Sequence, residues 1–280
     1  MKKNLIFLLL ALMMVFTVKA QTPKRPGPQP APETNEKFKI GIAGFSFAKV
    51  GSLDKSLETM QKINVHYLCI KDFHLPLNST DEQIAAFKEK LKAKDITGYA
   101  VGPIYMKTEA EVDHAFEYAK KAGVKLIVGV PNYELLPYVD KKVKEYNFNF
   151  AIHLHGPDIK IYQDADDVWN HVKNLDPRIG MCLDIGHDTR NGKDPVADLK
   201  KYQSRVFEVH LKDVTGNTRL GYSLEVGRGI INFPAFVKML RKVGYSGVVS
   251  LENEINMNDP YMDIAESIGY FRGIIVATRK

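Results

Sequence analysis

Residues 149–156 read NFAIHLHG, and the same design recurs as GMCLDIGH (180–187), VFEVHLKD (206–213) and GVVSLENE (247–254). Each is a short apolar run of strand length that closes on a side chain able to ligate a metal: His153, Asp184, His210 and Glu252. In a parallel sheet or barrel the C-terminal ends of such strands lie on one side, so these four side chains converge. Two imidazoles and two carboxylates suit one borderline divalent ion, Mn²⁺, Co²⁺, Zn²⁺ or Fe²⁺, better than a purely hard oxygen site does. A single inward His or Asp at a strand end can be an ordinary hydrogen-bonded residue. Four on adjacent strands need an ion, a ligand or mutual pairing to offset their desolvation.

Upstream lie four more runs, FKIGIAGFSF (38–47), HYLCIKDFHL (66–75), TGYAVGPIYM (97–106) and VKLIVGVPNY (124–133), which makes eight. Between the runs stand amphipathic patterns with cap signals, such as 108–123, where Thr108 with Glu111 opens a helix that Gly123 ends. Strand starts recur about every thirty residues, except that 214–232 adds a longer loop before the last run, over the same end as the four donors. Eight alternations at near-constant spacing predict a closed parallel (β/α)₈ barrel, of α/β class, rather than an open doubly wound sheet. Residues 38–280 suffice for one such domain.

Residues 1–20 have a basic start, an apolar stretch and a small-residue finish at Val18 and Ala20. This is the pattern of a secretory signal peptide, with no Cys following to accept a lipid, and it predicts a periplasmic or otherwise exported protein. The competing expectation is an uncleaved anchor, for which the apolar stretch is short. Residues 21–37 carry five prolines, Pro23, Pro26, Pro28, Pro30 and Pro32, and are expected to form an extended linker. Loss of Lys2, Lys3 and Lys19 with the first segment takes the net charge from +6 to +3. No Lys/Arg run is dense enough to predict nucleic-acid binding. Cys69 and Cys182 lie in separate apolar runs and are expected as buried free thiols.

Other residues near the donor end follow from the two-residue strand period. Lys212 shares a face with His210 and can stabilise a developing oxyanion, or else pair structurally with Asp184 or Asp213. Glu254 shares a face with Glu252, and Glu252 is the preferred ligand because it lies deeper in its run. Arg228, between Gly227 and Gly229, is a candidate substrate contact, since flanking glycines let the backbone turn sharply. Lys71, His74, Tyr105, Asn132 and Tyr133 sit near strand ends, with a structural or loop role preferred for each. Trp169 is expected to pack on a helix, and His66, His114 and His171 have no assigned role.

The stretches CLDIGHD (182–188), VHLKD (209–213), GRGIINFPAFVKMLRKVGYSG (227–247) and SLENE (250–254) resemble the xylose isomerase-like TIM barrel family of sugar isomerases and epimerases. The resemblance extends over essentially all of 38–280. It implies that Asp184, His210 and Glu252 take the family's last three metal-ligand positions and that His187 contacts substrate. The chain departs from the family pattern at the first ligand. Members commonly have a Glu followed by Asn-His-Gly there, and here the run is His153-Leu154-His155-Gly156.

The resemblance also implies the chemistry: a metal that ligates a sugar carbonyl and an adjacent hydroxyl acidifies the C–H between them, and a protein base removes the proton. Glu252, His153 and His155 are candidates for that base. In the family's epimerases two metal-bound glutamates act on opposite faces of a ketose, so His153 removes half of that machinery. Some relatives act on 3-keto-glycosides, where one base suffices to remove the C2 proton and expel the C1 substituent. The expectation is therefore an exported 3-keto-glycoside lyase, with a sugar isomerase or epimerase as the alternative and a non-catalytic sugar-binding barrel as a third. The partner is a small carbohydrate, with no nucleic acid and no stable membrane insertion after signal removal; a homo-oligomer is left open.

Overall fold

A computed structural model describes residues 35–279. The expected signal peptide and residues 21–34 of the expected linker lie outside the described residues. Eight parallel strands close into a barrel in the order β1-β10-β7-β6-β5-β4-β3-β2. They are β1 (Lys39–Ala43), β2 (Tyr67–Ile70), β3 (Thr97–Met106), β4 (Leu126–Pro131), β5 (Asn149–His153), β6 (Ile179–Asp184), β7 (Val206–Leu211) and β10 (Val248–Leu251). Two-residue strands β8 (Asp213–Val214) and β9 (Ser223–Leu224) pair antiparallel within the long loop that precedes the last barrel strand.

The outer ring is α1 (Leu53–Lys62), α2 (Asp81–Ala93), α3 (Glu109–Ala122), α4 (Leu136–Tyr146), α5 (Ala165–Val172), α6 (Ile185–Arg190), α7 (Pro195–Tyr202), α8 (Phe233–Lys242) and α9 (Tyr261–Ala277). None is long and apolar enough to cross a membrane. The cap signals act as the sequence predicts: Thr108 and Glu111 form a full capping box on α3, and Gly123 ends it in the left-handed region at φ 81°. Several runs leave strand early, FKIGIAGFSF at Ala43 and HYLCIKDFHL at Ile70 among them. GMCLDIGH stops being strand at Asp184, whose side chain accepts from the His187 amide at 2.8 Å and starts α6 at once.

A large apolar core lies between the barrel and its helices, built from residues such as Phe116, Phe150, Phe236 and Phe271. A second, small cluster of Cys69, Ala100, Val128, Ala151 and Cys182 fills the barrel interior, on the same strand faces as His153 and Asp184. Both cysteines are free and buried, as expected. Near the N-terminal end of the described chain Glu36 accepts from Arg241 Nε at 3.0 Å and Nη2 at 2.7 Å, which fixes the approach to β1.

Candidate metal centre

Strand register brings the four predicted donors together. Asp184 is paired with His210 across β6 and β7, His153 with Cys182 across β5 and β6, and Ser250, two before Glu252, with His210. All four donor side chains are buried. His153 Nε2 and His210 Nδ1 face each other at 2.9 Å. Asp184 Oδ2 stands 3.8 Å from the first and 3.9 Å from the second; Glu252 Oε2 stands 3.9 Å and 3.4 Å from them.

Four ligands about 2.1 Å from a tetrahedral ion stand about 3.4 Å from one another. The observed separations of 2.9 to 3.9 Å bracket that value. Asp184 uses Oδ1 to cap α6 and leaves the fully buried Oδ2 without a hydrogen-bond partner. A buried carboxylate oxygen so placed, beside two imidazole nitrogens and a second carboxylate, fits a divalent ion. Cys182 Sγ lies one layer lower, within 4.8 Å of nitrogens of His153 and His210.

Lys212 enters from just past the end of β7. Its ammonium sits 3.2 Å from Asp184 Oδ2, 3.0 Å from Glu252 Oε2, 2.9 Å from Glu254 Oε1 and 3.4 Å from His187 Nε2. The stem lies across Gly186, where a Cβ would come within 2.8 Å of Lys212 Cγ and Cδ. Asp213 is not its partner. That carboxylate accepts from the amides of Val214, Gly227, Gly229 and Ile231 and so shapes the long loop.

His155 lies beside His153, with Nε2 3.2 Å from His153 Nδ1 and 2.7 Å from the Tyr105 hydroxyl, with which it shares a hydrogen bond. Tyr105 thereby joins the site edge, half-exposed, although the sequence favours a structural or loop role for it. Gly156, at φ 63°, lets this segment press against α6: a Cβ there would stand 2.6 Å from the His187 carbonyl oxygen.

Arg228 does not point into the barrel mouth as the flanking glycines suggested. Its side chain is exposed, donating to both oxygens of Glu266 on α9, because that carboxylate lies within direct reach of the turn. Lys71 bonds the Pro103 carbonyl, Asn132 bonds Glu134, and Tyr133 bonds Asp167 and stacks on His171. His74 is held between Phe47 and Phe73, and Trp169 packs on Tyr202. His66 and His114 bond backbone carbonyls of Asp95 and Leu77.

The electrostatics separate the histidines. Burial drives His153 well below the ordinary histidine value and His155 down to about 4, with neighbouring imidazoles adding to the push. His187 is lowered by burial and then by Lys212. Burial opposes protonation of His210 too, but Glu252, Glu208 and Asp184 outweigh it and hold its value up. Against its own burial, Glu252 is kept well below the usual carboxylate range by Lys212 and His210. Lys212, likewise against burial, is held well above the usual lysine value by Asp184, Glu252 and Glu254.

What the sequence did not single out is the polar layer beneath the donors, Tyr99, Glu208 and Ser250. The signal was present, since Glu208 precedes His210 by two residues, as Ser250 precedes Glu252, and so shares its face.

Comparison with known proteins bears on the fold and the family. The chain is 26% identical over 137 residues to the rhizopine catabolism protein MocC of Rhizobium meliloti, covering 43% of this chain and 41% of that protein. It is 28% identical over 131 residues to an inosose dehydratase of Clostridium tetani, covering 41% of this chain and 43% of the relative. The chain thus spans less than half the length of these two relatives. A crystal structure of the IolI protein with a bound zinc atom superposes with a TM-score of 0.67 over 86% of this chain and 98% of that one; at 19% identity it shows the fold. The family model for the xylose isomerase-like TIM barrel matches residues 68–274. A match over that much of the chain, on a barrel with these strand-end donors, makes this protein a member of the xylose isomerase-like TIM barrel family, a family of sugar-processing enzymes.

Proposed function

We propose that this protein is an exported, metal-dependent carbohydrate lyase. It removes the proton next to a sugar ketone and expels the substituent on the following carbon, with 3-keto-glycosides as its substrates. The observation that carries this is His153: the strand end where a second carboxylate base would stand holds a buried, neutral imidazole. One carboxylate can start an elimination, whereas a symmetrical epimerisation calls for two. The names of several relatives favour the same outcome, since a dehydratase removes water from its substrate by elimination. Export accords with a glycoside breakdown product as substrate.

A divalent ion held by His153, Asp184, His210 and Glu252 would supply Lewis acidity toward the ketone oxygen. The neutral imidazole of His153, in place of a carboxylate, leaves the centre one unit more positive. Glu252 takes the proton: Lys212 keeps it ionised, and its Oε2 is engaged by Lys212 while Oε1 has no protein hydrogen bond among the described residues. Lys212, whose charged form Asp184, Glu252 and Glu254 favour, stabilises negative charge that develops on the substrate. His155 holds Nδ1 of His153, and Tyr105 holds His155. In the elimination the C2–H electron pair becomes the new C1=C2 bond. The C1–O bond breaks with its pair going to oxygen, and that oxygen leaves as the alcohol after taking up a proton.

A chromogenic 3-keto-glucoside tests the proposal with protein loaded with Mn²⁺, Co²⁺ or Zn²⁺. The aglycone is expected to appear, and Glu252→Gln to slow its release by about 10²–10⁴-fold. If the loaded protein interconverts free ketoses and leaves the 3-keto-glucoside intact, it is an isomerase or epimerase instead. Export is tested by fractionation and by the N-terminus of the exported protein, expected at Gln21; protein confined to the cytoplasm contradicts export, and an exported protein with Met1 intact means an uncleaved anchor.

A further inference from the structure

One buried polar group inside the barrel takes no part in the chemistry above. Glu208 lies two residues before His210 on β7 and shares its inward face. It is fully buried, and its Oε1 accepts from the hydroxyls of Tyr99 on β3 and of Ser250 on β10, the latter at 2.8 Å. Those two hydroxyls also lie within hydrogen-bonding reach of each other, and with one proton apiece they make two of these three contacts at a time. The carboxyl group is therefore clamped from both flanks, with Oε2 left without a partner.

The ring above it is similarly half-satisfied. His210 Nδ1 faces His153, Asp184 and Glu252, while Nε2 is buried with no hydrogen-bond partner and stands 3.8 Å from Glu208 Oε1. A hydrogen bond needs about 3 Å, so a shift of about 1 Å closes the gap. An imidazole that ligates through one nitrogen ordinarily donates the other N–H to a carboxylate or carbonyl, which fixes its tautomer and raises its basicity. His153 has the His155 ring on that side, 3.2 Å from its Nδ1. For His210 the group in that place is Glu208.

We propose that Glu208 is a positioning residue for the metal centre. It takes the Nε2–H of His210, so that Nδ1 keeps its lone pair for the ion. The rival account is that Tyr99, Glu208 and Ser250 only tie three strands together. The inference rests on the proposed metal centre, and its test separates the two.

Glu208→Gln keeps an oxygen at the Oε1 position for Tyr99 and Ser250 but replaces the carboxylate that faces Nε2 by a neutral amide, a weaker acceptor. Affinity for Zn²⁺ and Co²⁺ is measured by competition with a chromophoric chelator, and the visible spectrum of the Co²⁺ form is recorded. The variant is expected to bind about 10–100-fold more weakly than wild type, with shifted Co²⁺ bands; wild-type affinity with an unchanged spectrum overturns the inference. A second measurement needs no folded variant of Glu208: ¹⁵N spectra of histidine-labelled, Zn²⁺-loaded wild type, with His210 assigned by its loss in His210→Gln. A metallated Nδ1 with a slowly exchanging Nε2–H supports the inference, and a metallated Nε2 overturns it. A wild type that binds neither ion overturns the metal centre and this inference together, whereas equal binding by wild type and Glu208→Gln overturns the inference alone.

Discussion

Lys212 holds three carboxylates, Asp184, Glu252 and Glu254, within 3.2 Å of one buried ammonium. Removing one partner of such a cluster leaves charge buried without compensation, at a cost of about 3–5 kcal/mol. Lys212→Met is therefore expected to lower the stability of metal-free protein by that amount in urea unfolding, and saturating Zn²⁺ is expected to restore most of it. A variant as stable as wild type without metal would show that the ammonium is not balancing those carboxylates. The four donors were legible residue by residue, because each closes an apolar run and nothing local calls for a polar group there. Lys212 was legible as an inward residue, but not its choice of partners: Asp213 is its neighbour in sequence, and only the fold brings the distant Asp184 to 3.2 Å from the ammonium. Arg228 was misplaced for a related reason: flanking glycines say that the chain turns, and the position of Glu266 decides which way the side chain goes.

Among the elements, the loop between β7 and β10 depends most on a single side chain. Asp213 accepts four backbone amides, at 2.8 to 3.2 Å, from residues spread over 214–231. These amides have no equivalent acceptor if it is removed, and bonds to a charged group are worth about 1.5–3 kcal/mol each without adding fully. Asp213→Ala should destabilise the protein by about 2–4 kcal/mol and raise hydrogen exchange across 214–231. Unchanged exchange there would mean that the short β8–β9 ladder holds the loop unaided. Helix caps were legible at Thr108 and Gly123, where the residues at either end act only on their own helix. The early end of β6 was less so: Asp184 serves as both cap and donor, and an apolar run alone does not show that its closing residue changes the chain's direction.

At the scale of the whole molecule, the barrel was the most legible feature, because eight buried runs at regular spacing leave few other closed arrangements. The polar layer beneath the donors stayed hidden because the sequence gives the face of Glu208, Tyr99 and Ser250 but not how three strands from across the barrel approach one another. The central claim is that four strand-end side chains hold one ion and that this centre acidifies a C–H next to a sugar ketone. Deuterium wash-in tests it most directly, with chelator-stripped and Zn²⁺-, Mn²⁺- or Co²⁺-reloaded protein in D₂O on a panel of keto-sugars and 3-keto-glycosides. The account expects exchange or loss of the hydrogen at the carbon next to the ketone in reloaded protein alone, with release of the C1 substituent from the 3-keto-glycosides. Sugar binding undiminished by the chelator, with no hydrogen exchanged or lost in any sample, would contradict it and leave a sugar-binding barrel.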